Sequence, residues 1–182
     1  MNFIKTAIEG VYIIEPRIFP DARGYFFESY SRAVFEAAGL HYDFVQDNQS
    51  KSCYGTVRGL HFQKGEHSQA KLVRVLEGTV LDVAVDIRRA SPTYGQYVAV
   101  ELSAENNRQL MIPRGFAHGF SVLSETAVFA YKCDNLYCRE SEGGIRFDDP
   151  TLAIDWRIDM SCALTSDKDK LHPYFAEFET CF

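Results

Sequence analysis

Short runs rich in Val, Ile, Tyr and Phe, separated by turn residues, recur through residues 1–155 of this chain. That rhythm leaves little room for anything but a β-sandwich or barrel. The runs are Val11–Ile14, Phe44–Gln46, Lys71–Leu76, Val80–Ile87, Tyr97–Leu102, Gln109–Ile112 and Val128–Tyr131. Glu77-Gly78 stands between the third and fourth and predicts a hairpin there. Within Val80–Ile87, Val83, Val85 and Ile87 fall on one face and Asp82 and Asp86 on the other, so the strand is expected to have a core side and a wet side. Helical signal is confined to Ser31–Ala38, with Ser31 as cap and Gly39 as stop, and to Ser166-Asp167-Lys168-Asp169, which could begin a short C-terminal helix. With 182 residues, 46% of them apolar, the expectation is a mostly β chain forming one domain over residues 1–182.

Charge narrows the class of partner. Nineteen Lys and Arg against 25 Asp and Glu give a net charge of −6, with no basic block. Broad attraction to nucleic acid or to an anionic membrane is therefore not expected, and any bound anion must be gripped locally. No run approaches the roughly 18–20 apolar residues of a membrane span, and the opening MNFIKTAIEGVYIIEPR lacks signal-peptide features, so a cytoplasmic protein is expected. The five cysteines, Cys53, Cys133, Cys138, Cys162 and Cys181, form no metal-binding or redox doublet and read as reduced thiols.

Three segments carry more polarity than strands need: Asp21–Glu28, Gln46–Ser52 and Arg58–Gln63. In the last, His61 could be a base held on a rigid strand beside an anion contact at Arg58. Strict alternation puts these two on opposite faces, so a shared pocket requires a bulge, expected at Gly59. A lone strand histidine is more often a packed or rim residue, and taken alone His61 leaves that open. His118 follows a stiff turn, Ile112-Pro113-Arg114-Gly115. Two histidines on neighbouring strands also suit a metal, but neither Gln63 nor the loop residue His67 supplies the close second ligand, so no metal is expected. Tyr131 shares the inward parity of Ala127 and Phe129, and Lys71 that of Val73 and Val75. His, Tyr, Lys and Arg in one cavity would suit an anionic substrate undergoing proton transfer.

The order and length of these motifs identify something more definite. Phe44-Val45-Gln46-Asp47-Asn48 with Ser50-Lys51-Ser52, Val57–Gln63, Ala70–Arg74, Asp82–Arg88, Ser91-Pro92-Thr93 and Ile112–Phe120 together resemble the dTDP-4-dehydrorhamnose 3,5-epimerase family, a branch of the cupin-like jelly rolls, nearly end to end. The resemblance implies a homodimer of jelly-roll subunits with no metal or organic cofactor. It implies an isomerase that inverts C3 and C5 of dTDP-4-dehydro-6-deoxy-D-glucose through enolates next to the C4 ketone, in dTDP-rhamnose biosynthesis for surface polysaccharide.

By the same resemblance His61 is the general base, Asp169 its carboxylate partner with Asp167 as rival, Tyr131 the acid on the opposite face, and Lys71 the cation near the enolate oxygen. Arg23, Glu28, Gln46, Asp47, Asn48 and Arg58 match nucleotide-binding positions, His118 a substrate contact and Tyr137 a base-stacking position. Glu142 and Lys168 are further carry-overs. Cys138-Arg139 stands where the family usually has a small residue and a proline, which bears on fine specificity. The competing readings are a mono-epimerase or isomerase on a related 4-ketosugar nucleotide, a binding module that kept the pocket, and a metal-dependent cupin.

Overall fold

A computed structural model describes residues 1–182. In chain order it holds β1 (Asn2–Lys5), β2 (Tyr12–Glu15), β3 (Phe19–Asp21), β4 (Gly24–Phe26), α1 (Arg32–Ala37), β5 (Gln46–Cys53), β6 (Val57–Gln63), β7 (Lys71–Glu77), β8 (Thr79–Asp86), β9 (Tyr97–Ser103), β10 (Gln109–Ile112), β11 (Phe116–Val122), β12 (Thr126–Cys133) and β13 (Glu142–Gly144). Two antiparallel sheets face each other, ordered β1-β2-β10-β7-β12-β5 and β13-β6-β11-β8-β9, while β3 and β4 form a separate hairpin. This is the mostly β sandwich that the strand rhythm predicted, in the jelly-roll-like form that the resemblance implied.

Period-two alternation builds the interior. Val73 and Val75 from β7 and Phe129 from β12 meet Val80 and Ala84 from β8 and Phe116 and Phe120 from β11 between the sheets. Each such side chain contributes about 1.5–3 kcal/mol when fully buried. Outside the five-stranded sheet, the chain after β13 folds back as a cover. Ile145, Phe147, Leu152 and Trp156 pack there on Leu81, Val83, Val85 and Ile87, and the Trp156 indole N–H donates to the Phe147 carbonyl at 2.7 Å. Helix α1 seals the outer face of the six-stranded sheet by setting Phe35 against Ile14, Leu72 and Met111.

Five local expectations need correction. Glu77-Gly78 closes no hairpin: β7 pairs with β10 and β12 while β8 pairs with β9 and β11, so this turn passes the chain from one sheet to the other. Gly78 has φ +78°, and a Cβ there would fall 2.0 Å from the Thr126 carbonyl oxygen, a fit only glycine can make. Strand β8 has no wet side, because Asp82 and Asp86 are as buried as Val83 and Val85. Its polar face is the inner one, and its apolar face is the outer one, kept dry by the C-terminal cover. The run Phe44–Gln46 contributes only Gln46 to a strand, since Phe44 instead packs edge-on against Tyr30. The C-terminal helix shrinks to a single 3-10 turn, Asp169–Leu171, and Ser31 occupies the N-cap of α1 without a side-chain capping bond.

Candidate active site

One end of the sandwich opens into a cavity of about 640 Å³, within the range of small-molecule sites. His61, Lys71, His118, Tyr131 and Asp169 line it together with Asn48, Arg58, Glu142 and Lys168. Stacked Phe120 and Phe129, with centroids 4.2 Å apart, give it an apolar wall.

The bulge expected at Gly59 is what gathers Arg58 and His61. On β11 two steps separate Phe120 from His118, whereas their partners on β6, Arg58 and His61, are three apart. One extra residue on β6 reverses the alternation, so both side chains reach the cavity. Gly59 itself has φ +138°, and a Cβ on it would meet the Gly119 Cα at 2.5 Å. Arg58 is steadied from β5, its Nε–H donating to Ser52 Oγ at 3.0 Å.

The C-terminal chain supplies the partner of His61. Leu164 laces onto the start of β6 through paired backbone bonds with Gly55 and Val57, and the turn that follows delivers Asp169 to His61, Nε2 to Oδ1 2.8 Å. Asp167, the rival, is fully exposed and reaches only Lys170. Burial pushes the Asp169 carboxyl up, but hydrogen bonds from His61, Ser166 and the Gly59 backbone outweigh it and hold the group below its ordinary value. Asp169 is therefore ionised and can only accept, so the contact is the one made by a His61 Nε2–H, which leaves Nδ1 as the ring nitrogen not engaged by Asp169.

On the facing sheet, Tyr131 projects from β12 and Lys71 from β7, with Lys71 Nζ 5.8 Å from the phenol ring centroid. Burial raises the Tyr131 hydroxyl above its ordinary value and lowers the Lys71 ammonium, the latter opposed by the neighbouring acidic groups Cys133, Asp82 and Glu142. Deeper in, His118 Nε2 and Asp82 Oδ2 lie 2.9 Å apart. Burial pushes Asp82 up and His118 down, which favours a neutral imidazole. At the mouth, Glu142 accepts from the Tyr137 hydroxyl at 3.0 Å and from the Lys168 ammonium.

The remaining expected residues stand elsewhere. Gln46 and Tyr137 form the rim, where the Tyr137 N–H donates to Gln46 Oε1 at 3.1 Å. Asp47 points to the outer face of its strand and pairs with Lys132 at 3.0 Å, because on β5 the even positions turn inward. Arg23 and Glu28 lie on and just after the exposed β3–β4 hairpin, where Arg23 pairs with Asp21, and neither lines this cavity. Sequence reasoning assigned no role in the site to Asp82, Ser52 and Gln63. Gln63 ties down the loop of Leu136 and Cys138, donating to the Leu136 carbonyl at 3.1 Å and accepting from the Cys138 N–H at 2.7 Å. The parity of β8 was the available signal for Asp82. None of the five cysteines is disulfide-bonded, and burial pushes the Cys133 thiol up to about 11.

An imidazole on one sheet, with a phenol and an amine on the sheet opposite and all three lining one cavity, is an arrangement suited to proton transfer in a cupin-like fold. Comparison with known proteins gives the family. The family model described as dTDP-4-dehydrorhamnose 3,5-epimerase matches residues 5–177. An enzyme of that name from Salmonella typhimurium is 58% identical over 174 residues, 95% of this chain and 94% of the relative. The crystal structure of the dTDP-4-dehydrorhamnose 3,5-epimerase of Elizabethkingia anophelis is 56% identical, covers 97% of both chains and superposes with a TM-score of 0.93. A dTDP-6-deoxy-D-glucose 3,5-epimerase from Legionella pneumophila, solved with dTDP-4-keto-L-rhamnose, is 50% identical with a TM-score of 0.94, covering 98% of this chain and 94% of that one. The chain belongs to the dTDP-4-dehydrorhamnose 3,5-epimerase family, an isomerase family.

Proposed function

We propose that this chain converts dTDP-4-dehydro-6-deoxy-D-glucose to dTDP-4-dehydro-L-rhamnose by inverting C3 and C5, with His61 as base and Tyr131 as acid. The observation that carries the assignment is their placement on opposite walls of one cavity. The C4 ketone acidifies the hydrogens on both neighbouring carbons. His61 Nδ1 takes one of them, and the negative charge moves to the ketone oxygen as an enolate, which the Lys71 ammonium stabilises. Tyr131, kept protonated by burial, returns a proton to the other face and inverts the centre. Each step moves only a proton between carbon and side chain, so the chemistry requires no cofactor. Asp169 holds the His61 tautomer and stabilises the imidazolium that forms. Arg58, Asn48, His118, Glu142 and Lys168 bind the nucleotide sugar, the arginine suiting diphosphate and the rim residues Gln46 and Tyr137 the base.

Arg23 and Glu28 complete the site from a second copy in this reading. Their hairpin displays Phe19, Tyr25 and Phe26, the last 70% exposed, an apolar arm whose aromatic contacts are confined to the arm itself and Arg17. A homodimer in which each arm serves the other subunit accounts for both the exposure and the distance of these residues from the cavity, with Asp47 on the sheet's outer surface at the contact. Light scattering should give twice the 20.7 kDa chain mass. One functional domain over residues 1–182, working in the cytoplasm without nucleic-acid or membrane partners, completes the proposal. It accords with the net charge of −6, and no helix is long and apolar enough to cross a membrane.

Proton NMR of the reaction in deuterated water, with a 4-ketoreductase and NADPH trapping the product, tests the activity. Deuterium at both C3 and C5 and formation of dTDP-L-rhamnose are expected. Label at one carbon only would make this a mono-epimerase, and none would leave a binding module.

A further inference from the structure

A third donor stands behind the His61–Asp169 pair, and the epimerisation has no use for it. The His172 ring crosses the His61 ring edge-on, centroids 5.8 Å apart. It lies flat against the chain at Gly144, where a Cβ would come within 2.4 Å of its Nε2. That Nε2 is buried and has no hydrogen-bond partner, an arrangement proteins seldom keep without a ligand or a reason. One nitrogen from each imidazole and one Asp169 oxygen all lie within 4.8 Å of one another.

Two imidazoles and a carboxylate on one side, with an open cavity on the other, form the donor set of zinc and its transition-metal neighbours. Magnesium and calcium prefer all-oxygen sites. His61 Nε2 and Asp169 Oδ1 are 2.8 Å apart, and need to separate by only about half an ångström for both to bind one zinc ion at roughly 2.0–2.2 Å. We propose that His61, Asp169 and His172 form an inhibitory site for a transition-metal dication such as zinc. A metal on Nε2 requires the other tautomer of the neutral ring, so the single ring proton leaves Nε2 and a proton is taken up at Nδ1, with no net release. Nδ1, now protonated, can no longer accept a proton from the sugar. A metal on Nδ1 instead blocks the same lone pair directly. The inhibition rests on the proposed function above, whereas the metal binding does not.

The test combines Co²⁺ absorption spectroscopy of the purified protein with initial rates measured in chelator-free buffer against added ZnCl2. For the wild type, visible d–d bands are expected to saturate at one Co²⁺ per chain. Zinc should suppress turnover at least about tenfold, EDTA should restore it, and magnesium should do nothing. His172→Ala and the size-conserving His172→Gln should keep basal turnover and require on the order of tenfold more zinc or cobalt, the scale on which altered metal sites lose affinity. Wild-type protein with no cobalt spectrum refutes the site even if the protein is fully active. Inhibition that is unchanged in both His172 variants but abolished by alkylating the exposed thiols would place the metal on cysteine and also refute it.

Discussion

Two histidine–carboxylate pairs lie in this cavity, alike in geometry and unlike in surroundings. His61 and Asp169 are 2.8 Å apart at the open end, with the imidazole about one-third exposed. His118 and Asp82 are 2.9 Å apart in the interior, with side-chain exposures of 8% and 0%. At the open end hydrogen bonding wins over burial and the carboxyl is held below its ordinary value. In the interior burial wins and the carboxyl is pushed above it. The contrast teaches that distance alone does not make a general base. An imidazole backed by an ionised carboxylate and facing a substrate can take up a proton, whereas one sealed in a dry interior is favoured neutral and serves as a fixed contact.

The comparison predicts that the first pair matters to rate and the second to stability. The largest effect should come from His61→Ala, which removes the base. Turnover of the 4-ketosugar should fall roughly 10²–10⁴-fold, while urea unfolding should shift by no more than about 1 kcal/mol, because Asp169 keeps other hydrogen bonds. His118→Ala should show the reverse emphasis. Stranding Asp82 without its partner should cost about 3–5 kcal/mol of folding stability, read in the same urea series. A rate loss without a stability loss at His118 would break the distinction. Asp169→Asn keeps the shape but removes the charge behind His61, so a turnover loss of roughly ten- to a hundredfold is expected, the worth of a charged hydrogen bond.

Acid sharpens the contrast further, with a smaller effect. His118 has its folded value depressed by burial, so below its unfolded value near 6.5 the unfolded chain binds a proton that the folded chain resists. Its contribution to stability is present above that value and is lost as pH falls towards the folded value. Asp169 behaves likewise but at lower pH: its contribution holds above the unfolded value near 3.8 and fades as pH drops through its depressed folded value. Urea midpoints at pH 7.5 and pH 5.5 should therefore decline in the wild type and decline less in His118→Gln. Equal declines would show that His118 does not carry this pH dependence.

Much of this was legible in the residues. The strand runs other than Phe44–Gln46, the inward parity of Tyr131 and Lys71 and the bulge at Gly59 follow from period-two geometry and glycine chemistry, and the structure bears them out. Long-range events were not legible. Nothing within Val80–Ile87 announces that the segment from Ile145 onward will cover its apolar face and leave Asp82 pointing inward. Glu77-Gly78 reads as a hairpin because turn chemistry is local, whereas the choice of partner strand is made across the sandwich. The same holds for Asp169, whose spacing from His61 means nothing until Leu164 is laced beside β6. That pairing came from resemblance to a family and not from pattern.

The central claim, base and acid on opposite walls, is tested most directly by deuterium exchange in Tyr131→Phe. With His61 intact, the account predicts that this variant still washes deuterium from solvent into the substrate at C3 or C5, returned to the face it left, while inversion falls by at least about a hundredfold. His61→Ala should show neither exchange nor inversion. Exchange that disappears in Tyr131→Phe yet survives in His61→Ala would reverse the two roles and contradict the account.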